Sequence, residues 1–214
     1  MSTITIFGAT GYAGKHIVTE ALSRGHQIIA VNRTGSFPAT QGVQARAGSV
    51  QDAILVTELA GQSEVIVLSV QPHGDNGETL VAALPAILTA AADNNARVAV
   101  VGGAGSLKVS PDGPQLADTP DFPAEVKPVA LAHNEILDAL RASDTKADWF
   151  YLSPAASFGS WAPGERTGTY RTGDDVLVVD ADGKSEISGA DYAIAMVDEI
   201  EKPAHHQTRF TVSY

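Results

Sequence analysis

The chain has no cysteine, which excludes disulfides, thiolate metal ligands and a cysteine nucleophile, and which an intracellular protein needing no staples tolerates. Its start has neither a basic segment nor a long apolar run: Met1 leads straight into a short apolar piece ending at Phe7. No signal peptide or membrane span is therefore expected, and the expectation is a cytoplasmic protein. Basic residues are few. Fourteen lysines and arginines face 25 acids, for a net charge of -11, and they form no cluster. A polyanion is repelled by such a surface, so nucleic acid is not an expected partner, and the acidity itself serves solubility.

What is present fits one α/β domain spanning 1–214. The chain is 44% hydrophobic, enough for a sizeable core, and its 20 glycines and 11 prolines sit at the ends of apolar runs without forming a linker. Short runs rich in Val and Ile predict strands at 3–7, 27–32, 43–47, 64–70, 97–102 and 148–153, several of them apolar on both faces. Between them, amphipathic stretches predict helices at 11–24, 52–60, 78–94 and 128–142, closed by Arg24-Gly25 and Asn94-Asn95 where stop signals are needed. Pro85 interrupts the third. This alternation points to a Rossmann-like, doubly wound, mainly parallel sheet flanked by helices. The last third differs. Residues 164–182 are dense in Gly, Asp and Thr, and two β-prone pieces at 169–171 and 176–179 predict a hairpin, followed by a helix from Ser188 to Glu201 and a strand at 208–212.

The opening segment carries the strongest chemical signal. Gly8, Gly11 and Gly14 stand at intervals of three between a predicted strand and a predicted helix. Gly8 permits a tight turn, Gly11 lets backbone amides approach a pyrophosphate, and the helix start adds unpaired N–H groups and a positive dipole end. On a helical wheel Gly14 falls with Val18 and Ala21 on the side facing the sheet, where a missing side chain allows close packing. The alternative is a glycine-rich turn without a ligand.

In such units the end of the second strand meets the adenine ribose, where an acid binds the 2′-hydroxyl of NAD and an arginine accommodates the 2′-phosphate of NADP. Here Arg33 follows that strand and no acid occurs from Gln27 to Gln51. NADP is expected in preference to NAD, unless Arg33 stacks on adenine or faces solvent. A tyrosine four residues before a lysine, the proton-donating pair of carbonyl-reducing short-chain dehydrogenases, is absent. Tyr12, Tyr151, Tyr170 and Tyr192 are followed at that spacing by His16, Ala155, Asp174 and Met196, and Tyr214 ends the sequence. A flat conjugated acceptor tolerates this lack, because the arriving charge spreads through its rings and water completes the protonation; alignment is then the main requirement.

Four segments together, 8–14 (GATGYAG), 101–106 (VGGAGS), 153–156 (SPAA) and 165–171 (ERTGTYR), resemble the atypical short-chain dehydrogenases grouped with NmrA-like proteins, NAD(P)H–flavin reductases and biliverdin reductase B. The resemblance covers essentially the whole chain. It implies reduction of a flavin by NAD(P)H; with Arg33 and the missing tyrosine–lysine pair, the expected activity is reduction of a flavin, quinone or similar flat small molecule, with NADPH preferred, and an NmrA-like dinucleotide sensor acting through a partner protein is the alternative. Ser49 departs from the wider superfamily, which often has an aspartate there against adenine.

Ligands of open α/β sheets lie beyond the carboxyl ends of the strands. Gln71 follows the fourth strand, and by resemblance the loop after the fifth and the Pro154 segment border the nicotinamide. The cofactor candidates are thus Gly8, Thr10, Gly11, Tyr12, Gly14, Arg33, Gln71, Gly103, Pro154 and Ala155. Ser106 is a candidate for contact with a carbonyl of cofactor or substrate, though a turn or cap hydroxyl would read the same. His133 falls among Val129, Ile136, Leu137 and Leu140 on an apolar helix face, a place more often held by a core histidine. Its helix stands where relatives carry the tyrosine–lysine pair, which keeps it as a candidate proton donor. The pair His205-His206 has no carboxylate at ligand spacing, and no metal site is expected.

Overall fold

The computed structural model describes residues 1–74 and 76–214. Eight strands form one sheet: β1 (Thr3–Phe7), β2 (Gln27–Asn32), β3 (Val43–Ala47), β4 (Val65–Leu68), β5 (Arg97–Val101), β6 (Trp149–Ser153), β7 (Arg171–Gly173) and β8 (Thr208–Ser213). Their order across the sheet is β3-β2-β1-β4-β5-β6-β8-β7. All pairs are parallel except β7–β8. The order reverses between β1 and β4, which opens a crevice at their carboxyl ends, the usual ligand position of a doubly wound sheet.

Five α-helices cover the two faces: α1 (Tyr12–Ser23), α2 (Ala53–Ala60), α3 (Leu80–Asn94), α4 (Lys127–Ala142) and α5 (Gly189–Glu201). Because side chains alternate along each strand, Ile4, Ile6, Ile28 and Val67 pack toward Ile17, Val18, Met196 and Val197 of α1 and α5. Their neighbours Phe7, Ile29, Ile66 and Val100 pack toward Val56, Leu59, Ile87 and Leu137 of α2, α3 and α4. Every residue of β4 and β6 is buried, which is why these strands read as unbroken apolar runs. Among the described residues no helix is long and apolar enough to cross a membrane.

Helix limits follow the local chemistry. Asp52 accepts from the N–H groups of Ile54 and Leu55 to start α2, Thr79 accepts from Ala82 to start α3, and Ser188 accepts from Asp191 to start α5. These side chains satisfy amide groups that a first helical turn leaves open. Asn95 ends α3 in the left-handed conformation, with φ of 55°, as asparagine tolerates. Pro85 lies within α3 without ending it.

The C-terminal region departs from the expected hairpin. β7 pairs not with 176–179 but with the terminal strand β8, through Arg171–Ser213 and Gly173–Thr211. Val176 instead bridges to Lys108 in the connection after β5. The turn signals are real, but strand partners are set by what lies alongside, and here the sheet edge and a distant loop win over the sequence neighbour. The fourth strand is also shorter than expected. Ser69 and Val70 lie beyond the strand and enter the crevice wall, with the Ser69 N–H still donating to Phe7 O at 2.9 Å.

Candidate active site

One cleft of about 680 Å³ runs along the carboxyl ends of β2, β1, β4, β5 and β6, within the size range of small-molecule and cofactor sites. Its first wall is the glycine turn. Gly8 has φ of +78°, and a Cβ there would lie 2.0 Å from the Ser69 carbonyl oxygen, so any other residue would be strained and would collide with the backbone just after β4. The turn is held by the N–H of Gly8 donating to Val31 O at 3.0 Å and that of Gly11 donating to Gly8 O at 3.0 Å. A Cβ on Gly14 would sit 2.2 Å from Gly8 O, so its bare backbone lets α1 press against the turn. Gly11 precedes α1 and gives it no side-chain cap. The first amides of α1 therefore open into the cleft beside Gly8, Thr10, Gly11 and Tyr12, which line it.

Tyr12 is oriented from behind. Its hydroxyl accepts from the N–H of Gly189 at 3.1 Å, and its ring meets Phe158 edge-on with centroids 5.4 Å apart. Burial raises its pKa above the ordinary phenol value. Beyond the turn, Asn32 at the end of β2, Arg33 after it and the 48–51 segment after β3 form the next part of the wall. The Asn32 side chain shapes this corner by accepting from the Thr34 N–H at 3.0 Å and donating to Ser36 O at 2.8 Å. Gln71 lines the floor after β4.

At the other end, the loop after β5 is fixed by one phenol. The Tyr151 hydroxyl accepts from the N–H of Gly103 at 2.9 Å and donates to His133 O at 3.1 Å. This ties the loop to α4. A Cβ on Gly102 would fall 2.1 Å from the Tyr151 ring, and one on Gly103 would fall 2.9 Å from His133 Cβ. Both glycines are needed for this close approach. Burial raises the Tyr151 pKa far above that of a free phenol, and its side chain is wholly enclosed, so it positions the loop rather than facing a ligand.

His133 lines the cleft. Its Nδ1 is buried without a hydrogen-bond partner in the protein, and desolvation lowers its pKa to about 4. A neutral imidazole is thus present near pH 7, able to share a hydrogen bond but poor as an imidazolium acid. Ser106 stands elsewhere. It is buried behind the loop and accepts from the Arg209 guanidinium at 3.2 Å, with Ser153 accepting from the same nitrogen at 3.3 Å. It does not line the cleft; Arg209 in turn pairs with Asp175.

The fold thus brings Gly8, Thr10, Gly11, Tyr12, Arg33, Gln71, Gly103, His133, Pro154 and Ala155 to one cleft, and leaves Gly14 and Ser106 behind its walls. Sequence reasoning missed Phe122, Val126, Val129, Phe158 and Trp161, which also line it. The signal that would have found them is loop length. The connections after β5 and β6 run from 102 to 126 and from 154 to 170 with only a single 3₁₀ turn between them, and long loops at the carboxyl ends of strands build ligand walls. His205 and His206 contact Glu199 and Asp148, at 2.7 and 2.9 Å.

The comparisons agree with this geometry. A model of an NAD(P)H-binding family matches residues 8–203. The uncharacterised protein YwnB of Bacillus subtilis is 40% identical over 98% of this chain and 97% of its own. A Burkholderia pseudomallei structure described provisionally as an exported protein is 41% identical over all of both chains, with a TM-score of 0.84. A Streptococcus pneumoniae structure described provisionally as an NADH-flavin reductase is 32% identical over 100% of this chain and 99% of its own, with a TM-score of 0.83. With its glycine turn at the β1–β4 switch point and a matching family model over residues 8–203, the chain belongs to the NAD(P)H-binding family.

Proposed function

We propose that the protein is an NAD(P)H-dependent reductase, preferring NADPH, that passes two electrons to a flavin, quinone or similar flat acceptor. The observation that carries this reading is the continuity of the cleft: the glycine turn and Arg33 at one end share it with an apolar chamber under His133 and Trp161 at the other. The glycine turn fits a dinucleotide. A Cβ at Gly8 or Gly14 would close on backbone, and the uncapped start of α1 leaves amides for a pyrophosphate.

In this reading Gly8, Thr10, Gly11 and Tyr12 hold the pyrophosphate, Gly14 lets the helix come close, and Arg33 pairs with the 2′-phosphate. Gln71, Gly103, Pro154 and Ala155 border the nicotinamide, which Tyr151 keeps in register by fixing the Gly103 loop. Bound there, NADPH supplies two electrons as hydride, and water supplies the proton that completes reduction of the acceptor. His133 stays neutral and shapes the chamber. Ser106 acts from behind, holding Arg209 beneath the same loop. The Streptococcus relative described as an NADH-flavin reductase supports the acceptor class.

Oxidation of NADPH, followed by its absorbance with riboflavin, FMN and a quinone panel, tests this reading when cofactor affinity is measured on the same sample. Steady turnover with at least one acceptor is expected. Tight dinucleotide binding with no turnover of any acceptor would overturn it and favour a sensor that signals through a partner protein.

A further inference from the structure

We propose that the acceptor end of the cleft is a slot for an uncharged planar ring system, a quinone or an isoalloxazine without a phosphate tail, and that Trp161 is the face on which that ring lies. This rests on the reductase reading and narrows it.

The distribution of charge is the first observation. Among the described residues lining the cleft, the Asp, Glu, Lys and Arg side chains are Arg33 and Glu78, which follow β2 and β4 at the dinucleotide end. The walls contributed after β5 and β6 and by α4 contain none. A phosphate or carboxylate held against these walls would give up water without gaining a charged partner, which is unfavourable. A neutral ring pays no such cost.

The second observation is the state of Trp161. Its side chain lines the cleft yet remains 72% exposed, an unusual position for so large an apolar surface unless something covers it. The indole is placed by its turn and is not left to find its own position. Ala162 N–H donates to Gly159 O at 3.0 Å to close the turn, Ser157 N–H donates to Ser185 O at 2.9 Å before it, and the Tyr12 hydroxyl donates to Pro163 O at 3.4 Å after it. Gly159 has φ of +153°, and a Cβ there would lie 2.7 Å from Trp161 Nε1. Glycine at 159 is what allows the indole to fold back over the turn.

Other walls of the same chamber are apolar too. Phe122, Val126 and Val129 line it, and both valines are exposed. Two apolar sides select a flat apolar body, and stacking on an indole favours an electron-poor ring. Among the described residues His133 also lines this cleft; its unpartnered Nδ1 is enclosed by protein, so the imidazole meets a ligand through its ring and not through that nitrogen. A neutral imidazole suits a neutral carbonyl or ring nitrogen, the groups that quinones and isoalloxazines carry at their edges.

The test measures binding apart from turnover. Protein saturated with NADP⁺ is titrated with riboflavin, FMN and menadione, with affinity read by equilibrium dialysis and by quenching of tryptophan fluorescence. Trp149 is buried and serves as the constant background. Riboflavin and menadione should bind at least tenfold more tightly than FMN. Trp161→Ala should weaken riboflavin at least tenfold and abolish most of the quenching, Trp161→Phe should keep part of the affinity, and neither should change NADP⁺ affinity more than twofold. Equal affinity for riboflavin and FMN, or unchanged riboflavin affinity in folded Trp161→Ala, would overturn the slot. If riboflavin binding depends on Trp161 but no acceptor oxidises NADPH, the slot stands and the reductase reading falls. If NADPH oxidation proceeds equally with FMN and riboflavin and is untouched in Trp161→Ala, the reductase reading stands and the slot falls.

Discussion

At the end of the cleft proposed for the dinucleotide the decisive wall comes from residues 7–13, one strand, one turn and the start of one helix, whereas at the end proposed for the acceptor the wall is assembled from the loop after β5, the loop after β6 and a face of α4. The first end has backbone amides, the Arg33 guanidinium and the Glu78 carboxylate; the second has indole, phenyl and valine surface and the His133 imidazole. The difference teaches how each end tolerates change. A turn whose glycines touch backbone has no room to adjust, since Gly8 and Gly14 would each bring a Cβ within 2.2 Å of a carbonyl oxygen. A wall of side chains on long loops can repack, so it tolerates substitution more readily than the turn.

The sharpest way to break this contrast is at the turn. Gly8→Ala places a side chain at φ of +78° and against Ser69 O, a cost on the order of 3 kcal/mol from strain and collision together. Thermal denaturation should show a clear fall in Tm, with dinucleotide binding lost. Gly11→Val is the milder probe, because a Cβ there meets Gly8 O at 3.2 Å and the neighbour has to give only slightly. It should leave a folded protein whose dinucleotide affinity, measured by calorimetry, falls more than a hundredfold. Undiminished affinity would remove the pyrophosphate role of the turn.

Arg33 separates the cofactors at the same end. A guanidinium paired with a 2′-phosphate makes charge-assisted hydrogen bonds worth about 1.5–3 kcal/mol, so Arg33→Ala should weaken NADPH roughly tenfold to a hundredfold and NADH little. Dissociation constants for both cofactors decide between the readings. Equal losses would mean stacking on adenine, and no loss would mean a solvent-facing side chain.

At the acceptor end the expected effects are smaller and show as pH dependence. His133 has its folded pKa lowered by burial to about 4, below the ordinary value near 6.5. Between those two pH values the unfolded chain takes up the proton first, so stability falls as pH drops from about 6.5 to about 4 and the contribution levels off below. The difference is at most about 3 kcal/mol. Denaturant titrations of wild type and His133→Asn across that range should show a flatter pH profile for the variant; parallel profiles would mean that His133 is not desolvated. Turnover should respond least. His133→Ala should lower kcat less than tenfold, and a hundredfold fall with unchanged cofactor affinity and Tm would make it the general acid instead.

The same contrast explains what could be read beforehand. The glycine turn was legible because its chemistry is local: three glycines, a strand before and a helix after lie within one short stretch, and backbone geometry demands them. The place of Arg33 in the cleft wall was legible for the same reason, since it directly follows β2. Periodicity put His133 on the apolar side of its helix together with Val129, which the structure leaves exposed, and its position against Gly103 depends on Tyr151 bridging His133, 18 residues before it, and Gly103, 48 residues before it. Ser106 misled because a serine after a glycine-rich loop reads the same whether it faces a ligand or a buried arginine. Arg209, its actual partner, lies 103 residues away, and no local pattern connects them.

By itself the sequence determined the alternation of strands and helices, the order of burial along them and the turn that can receive a dinucleotide, since these follow from side-chain periodicity and from backbone constraints a few residues long. Only the tertiary structure decided that β7 joins β8, that Ser106 turns away from the cleft, and that Trp161, Val126 and Val129 line the same cleft as the glycine turn. Such outcomes depend on which distant segments pack together, and packing selects among partners that are equally acceptable to the local chain.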